Sequence, residues 1–271
     1  MKNSKLLAAF LLLITPIMVY AQKLPAKQQV SLRAPVNIKI DGKATEWDNK
    51  FQAYNNATNI FYTIANDNDN LYLAVQATDP LITRKIIIGG VKLTIDAGKQ
   101  ANGKEVAITY PAFANENRPI MNLKDKPMGS KNQPLDNEAL NSFISGINKL
   151  FWDRSKEIKV QGIPAITDSL ISVYNDNDIK AVARFDEQAD YIYELAIPLK
   201  YCGNAAKFNY TITLTGSPQV DGTTVVRDPA GNITKIQVLV GPGAPPILNP
   251  SDMAMISSPT YLTGEYTLAT K

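Results

Sequence analysis

Apolar and polar residues alternate along much of this chain. The alternation runs from Val36 to Ile40, returns at Ile60, Tyr62 and Ile64, and again at Leu71, Leu73, Val75 and Ala77. A period of two turns one side of an extended segment toward a core and the other toward water, so each run predicts a half-buried strand. Between the second and third runs lies NDNDN, Asn66 to Asn70. Asn and Asp accept left-handed backbone angles and bond their own backbone, so the two runs are predicted to form a hairpin. Similar runs follow at Val91, Leu93 and Ile95, at Val106, Ile108 and Tyr110, at Ile179 to Phe185, at Tyr191 to Ile197, and at Phe208 to Leu214, with Gly, Asn and Asp between them. Many short strands at this spacing predict an all-β antiparallel sandwich or barrel, not alternating βα units.

One segment keeps a different period. After Pro134, the residues Leu140, Phe143, Ile144, Ile147 and Phe151 recur every three or four positions, and Asp136 stands where a helix start needs a side-chain acceptor. This predicts one amphipathic helix covering an end or flank of the sandwich. The stretch Asn115 to Pro134 is polar, rich in Pro and Asn and without period, and is expected to be a long surface loop, either a binding element or disordered. Later, Thr223–Arg227 and Ile233–Val240 flank DPAGN and predict another hairpin. GPGAPPILNP is too rich in Pro and Gly for regular structure, and TGEYTLAT predicts a closing strand. No tandem repeat is visible; NDND at Asn175 to Asp178 repeats the earlier turn chemistry.

The first residues change where this protein is expected to work. Lys2 and Lys5 precede an apolar run from Leu6 to Val19, which ends in small residues at Ala21. That is the form of a secretory signal peptide, cleaved after Ala21, and the run falls short of the roughly 20 residues that span a bilayer. The expected product is secreted or periplasmic, with a signal at 1–21, an N-terminal linker at 22–35 and one domain at 36–271. Cys202 is the single cysteine, so no internal disulfide forms, and a small buried apolar role is expected of it. Lys and Arg number 28 against 25 Asp and Glu, and two of those lysines leave with the signal. The near-neutral balance argues against nucleic acid or an anionic membrane as partner.

The sequence holds no histidine. This excludes any imidazole base and the usual zinc and iron ligand sets, and leaves carboxylate-only chemistry such as that of glycosidases. No Asp or Glu lies in a segment that otherwise reads as a catalytic site.

Four segments share their order with a known family: IDGKATEWD at 40–48, FYTIANDNDNLYLAVQATDP at 61–80, VKLTIDAGKQANGKEVAITYP at 91–111 and YIYELAIPL at 191–199. Together they resemble the family 9 carbohydrate-binding module, taken broadly to include short stand-alone secreted relatives. The resemblance runs from Val36 to Leu214, and the tail DMAMISSPTYLTGEYTLA is similar to endings of those relatives. It implies a β-sandwich of jelly-roll type, non-catalytic binding of a polysaccharide or oligosaccharide, and structural calcium in some members. This chain departs from the family's sugar binders, in which two tryptophans can sandwich a sugar: it has only Trp47 and Trp152. That departure keeps open an envelope interaction or scaffold module with a protein partner.

Sugar binding in water needs an exposed aromatic plate with amide or charged groups nearby. Trp152 follows the helical stripe with Arg154 close behind, and Tyr110 opens the polar loop that holds Glu116 and Arg118. These five are the expected ligand-binding residues; the alternative for Trp152 is that it caps the core. Trp47 is expected to pack inside, and Glu194 to be solvated or bonded to backbone. For calcium, which takes six to eight oxygens, Asp67, Asp69, Asp79 and Asp96 are the candidate ligands, although NDNDN lacks the Gly and distant Glu of an EF-hand and also reads as a plain turn.

Overall fold

A computed structural model describes residues 23–96, 105–113, 117–131, 133–203, 205–217, 223–230, 233–238 and 249–270. Two antiparallel sheets pack face to face as a β-sandwich. The first has five strands in the order β1 (Ala53–Asn55), β2 (Ile60–Asn66), β3 (Asn70–Ala77), β9 (Tyr191–Pro198) and β8 (Lys180–Phe185). The second has six, in the order β13 (Thr260–Thr267), β10 (Lys207–Leu214), β4 (Val91–Asp96), β5 (Val106–Ala112), β6 (Glu157–Gln161) and β7 (Leu170–Ser172). A hairpin of β11 (Thr223–Arg227) and β12 (Ile233–Val238) pairs apart from both.

The alternation sorts side chains as expected. Tyr62, Ile64, Leu73, Val75, Tyr193 and Leu195 of the first sheet meet Leu93, Ile95, Ile108, Tyr210 and Ile212 of the second in the main core. At about 1.5–3 kcal/mol for each large apolar side chain, this layer is the main stabilising term. The first sheet is covered on its outer side too. Trp47, Phe51, Tyr72, Ile192 and Ala196 form a second, smaller core there, closed by Leu32, Ile38 and Ile40. Strand β9 is therefore buried along its whole length.

That cover comes from residues 23–52, and it corrects two expectations. Residues 23–35 are not a linker: the Leu32 carbonyl accepts from Asn66 N–H at 3.1 Å, and Ala34 N–H donates to the Asn66 carbonyl at 2.9 Å. Val36–Ile40 is not a strand either. Ile38 and Ile40 do face the sheet and Lys39 does face water, but the segment lies across the sheet's surface without ladder bonds, and Asn37 breaks it with a φ of 62°.

At each edge of the first sheet a side-chain carboxamide satisfies the backbone of one residue. Strand β1 covers only Ile60 to Tyr62 of β2. Beyond it, Gln28 accepts from Ile64 N–H and donates to the Ile64 carbonyl, both at 2.7 Å. On the other edge, Asn148 accepts from Phe185 N–H at 2.8 Å and donates to the Phe185 carbonyl at 2.9 Å. A carboxamide sets an acceptor oxygen beside an NH2 donor, as a neighbouring strand sets C=O beside N–H, and so satisfies that residue without inviting another chain.

Asn148 belongs to the predicted helix, α2 (Asn137–Arg154). Asp136 caps it, accepting from Glu138 N–H and Ala139 N–H at 3.0 Å. Phe151 is fully buried against Phe113, Phe185 and Tyr191, which pins α2 along the flank beside β8. Two more helices join the expected one. Pro80–Gly89 (α1) is capped by Asp79 and buried from Ile82 to Ile88, and Pro250–Ser257 (α3), capped by Asn249, packs against it. Part of the expected loop is ordered by burial, with Met121 against the main core. No helix among the described residues is long and apolar enough to cross a membrane.

Candidate functional site

Trp152 sits at the rim of a groove. It is 39 % exposed, one position past buried Phe151, so its ring lies at the edge of the helix's apolar stripe. The groove beside it, of about 480 Å³, runs between α2 and the outer face of β8. Its walls are Asn148, Lys149 and Trp152 from the helix, Val182 and Arg184 from β8, and Ile40 and Asp41 from the covering segment. One aromatic edge thus borders two cations, a carboxylate and an apolar floor.

Trp152 is not alone as an exposed aromatic. The Lys156 ammonium lies 3.6 Å from its ring centroid and 5.8 Å from that of Tyr174, which is 70 % exposed. The attraction of a cation for the π face holds both rings to one ammonium. It also occupies one face of the indole.

The other residues expected to bind ligand do not join Trp152. Tyr110 is fully buried; its hydroxyl donates to the Ser155 carbonyl at 3.3 Å, and burial pushes its pKa up to about 12. It offers no ring face to a ligand, because β5 turns it inward with Val106 and Ile108. Arg118 is half-buried in its loop, and Arg154 is exposed on the last turn of α2; neither lines the groove. Glu116 lies outside the described residues.

Asp41 and Arg184 take these places instead, and a buried carboxylate shapes them. Glu194 points outward from β9 and is 1 % exposed. One of its oxygens accepts from Asp41 N–H at 3.0 Å and Gly42 N–H at 2.9 Å, and the other from Trp47 Nε1–H at 3.1 Å. Burial pushes its pKa up to about 7, although bonds from Trp47, Gly42 and Asp41 pull the other way. Trp47 is a core residue held by this bond, as expected. Gly42 adopts a φ of 78°, and a Cβ there would lie 2.7 Å from Arg184 Cγ. The turn, lacking a Cβ, therefore lets the stem of Arg184, a wall of the groove, lie against its backbone.

The four aspartates considered for calcium do not converge. Asp67 is spent on its own turn: one oxygen accepts from Asp69 N–H at 2.8 Å and Asn70 N–H at 2.7 Å, the other from the Tyr72 hydroxyl at 2.6 Å. Burial alone would raise its pKa; those bonds and nearby Arg33 outweigh it and hold the carboxyl below its usual range. Asp69 is exposed on the same turn, Asp79 caps α1, and Asp96 ends β4 in the other sheet. Among the described residues, no three His, Cys, Asp or Glu side chains are grouped to hold a metal. Cys202 is buried, and burial pushes its thiol up to about 12.

Comparison with known proteins adds no assignment: no family model, no curated protein and no solved structure gives a significant match to the chain.

Proposed function

We propose that this is an exported, non-catalytic carbohydrate-recognition module of jelly-roll type, similar to the family 9 carbohydrate-binding modules, with its site in the groove beside Trp152. The observation that carries this reading is the exposed indole at the rim of a polar groove. A sugar ring presents an apolar face that stacks on an indole and hydroxyls that bond to charged and amide groups. Arg184, Lys149 and Asp41 supply such groups within the groove. Tyr174, brought near the indole by Lys156, provides the second aromatic that the count of tryptophans lacks.

One observation favours a second reading, an interaction module with a protein partner. The Lys156 ammonium already covers one face of the Trp152 ring, which stabilises an exposed tryptophan without any ligand. A glycan array probed with the exported protein and with Trp152→Ala separates the two. Binding to a defined set of glycans, lost with the indole, supports sugar recognition; an array without signal favours the protein partner.

A further inference from the structure

The groove beside Trp152 does not end at Ile40. That residue also lines a second depression, of about 710 Å³, over the outer face of the same sheet. Its floor is Ala196, a small side chain on β9 set between Tyr72 on β3 and Lys180 on β8 by the register of the three strands. Lys180, Val182 and Arg184 point outward from β8 in alternate positions and carry the floor from one depression to the other. The two depressions adjoin at Ile40 and along β8, where Lys180 to Arg184 spans about 13 Å at ~3.3 Å per strand residue.

The stretch where they adjoin is positive. Lys39, Lys180 and Arg184 are exposed, and none of them forms an ion pair among the described residues. Lys200 stands at the far end. Three carboxylates are present as well: Asp69 and Asp178 line the depression that holds Lys39, Lys180 and Lys200, and Asp41 lines the groove with Arg184, so cations outnumber carboxylates without excluding them. Lys149 is matched by Asp153 at 2.6 Å. Unpaired cations spaced along a polar surface that begins at an aromatic rim match a chain carrying repeated negative charge.

We propose that the ligand is an acidic glycan chain, bearing uronate or sulfate groups, that stacks at Trp152 and runs along β8 past Lys180 and Lys39. This rests on the carbohydrate reading above and adds the length and the charge of the ligand. The test is titration calorimetry of the exported protein with polygalacturonate oligomers and with neutral glucan oligomers of equal length. The wild-type protein is compared with Trp152→Ala and with the double variant Lys39→Glu/Lys180→Glu. Both lysines are exposed, and circular dichroism and thermal melts check that the variants fold.

The acidic oligomer is expected to bind more tightly as it lengthens and more weakly as salt rises. Affinity should be lost with Trp152→Ala and fall about tenfold or more in the charge-reversed variant. Trp152-dependent binding of neutral oligomers that ignores the charge reversal overturns the acidic ligand and leaves the carbohydrate reading standing. Acidic binding that survives Trp152→Ala, or no binding of either oligomer, overturns both.

Discussion

Replacing Glu194 by Gln gives a difference in stability that changes with pH, and its sign follows from burial. The carboxyl ordinarily titrates near 4.5 and here near 7. The folded state therefore binds this proton more tightly than the unfolded chain does. Between about pH 4.5 and 7 the native state holds more protons, so stability falls as pH rises through that window. The full loss is about 3 kcal/mol, at ~1.4 kcal/mol for each tenfold difference in proton affinity between the two states. Gln cannot ionise and escapes this loss. It has one carbonyl oxygen for donors on both sides, so if that oxygen serves Asp41 and Gly42, its NH2 group faces the Trp47 N–H and one buried bond is lost, at roughly 1–3 kcal/mol. Glu194→Gln should thus cost roughly 1–3 kcal/mol at pH 4.5, and this deficit should shrink or reverse by pH 8. Urea unfolding of both proteins at the two pH values measures it, and other titrating groups cancel in the difference. A deficit that stays constant, or grows with pH, would mean that the three N–H donors stabilise the ionised carboxylate more than burial penalises it, and that Glu194 is not held protonated by its surroundings.

Asn148→Ala and Gln28→Ala should each cost roughly 1–3 kcal/mol in urea unfolding, two bonds being lost at an edge, and should raise the tendency to aggregate by light scattering. An effect within about 0.5 kcal/mol in either variant, the usual range for a surface change, sinks the edge-closure argument. Gly42→Ala forces a left-handed backbone on alanine and drives its Cβ toward Arg184, so a loss of about 1–2 kcal/mol is expected together with weaker glycan binding. Unchanged binding in that variant means Arg184 does not need the turn. Cys202 should stay unlabelled by a thiol reagent at pH 8 until urea unfolds the chain, and labelling in the native protein contradicts its burial.

The period-two pattern carried the sandwich well, because alternation is imposed by the same burial that builds the sheets. It failed in two ways. Ile38 and Ile40 alternate with Lys39 because an extended segment lies flat on a sheet, and the pattern does not distinguish that from a strand within one. Helix α1 was hidden because Thr83, Arg84 and Lys85 are buried along with Ile82 and Ile86 to Ile88, and so short a helix repeats its stripe too few times to show a period. Its punctuation was still present in Asp79–Pro80 and Gly89–Gly90.

The site was half legible. Trp152 follows the apolar stripe by one residue, which places it near 100° from Phe151 and at the helix's exposed margin. The inward turn of Tyr110 was also readable, since it shares parity with Val106 and Ile108. Asp41 and Arg184 were not. They meet across 143 positions of sequence, because Glu194 and Gly42 fix a turn over β8, and no local pattern encodes that meeting.

Tryptophan emission during glycan titration reports directly on whether a sugar stacks at the groove rim. The chain has two tryptophans, and Trp47 is buried, so a ligand stacking at the groove rim must report through Trp152. Stacking there gives a saturable change in emission with the array's best glycan, and that change disappears in Trp152→Phe. Glycan binding measured by calorimetry with no change in the emission of Trp152 places the sugar elsewhere and overturns the assignment of the groove.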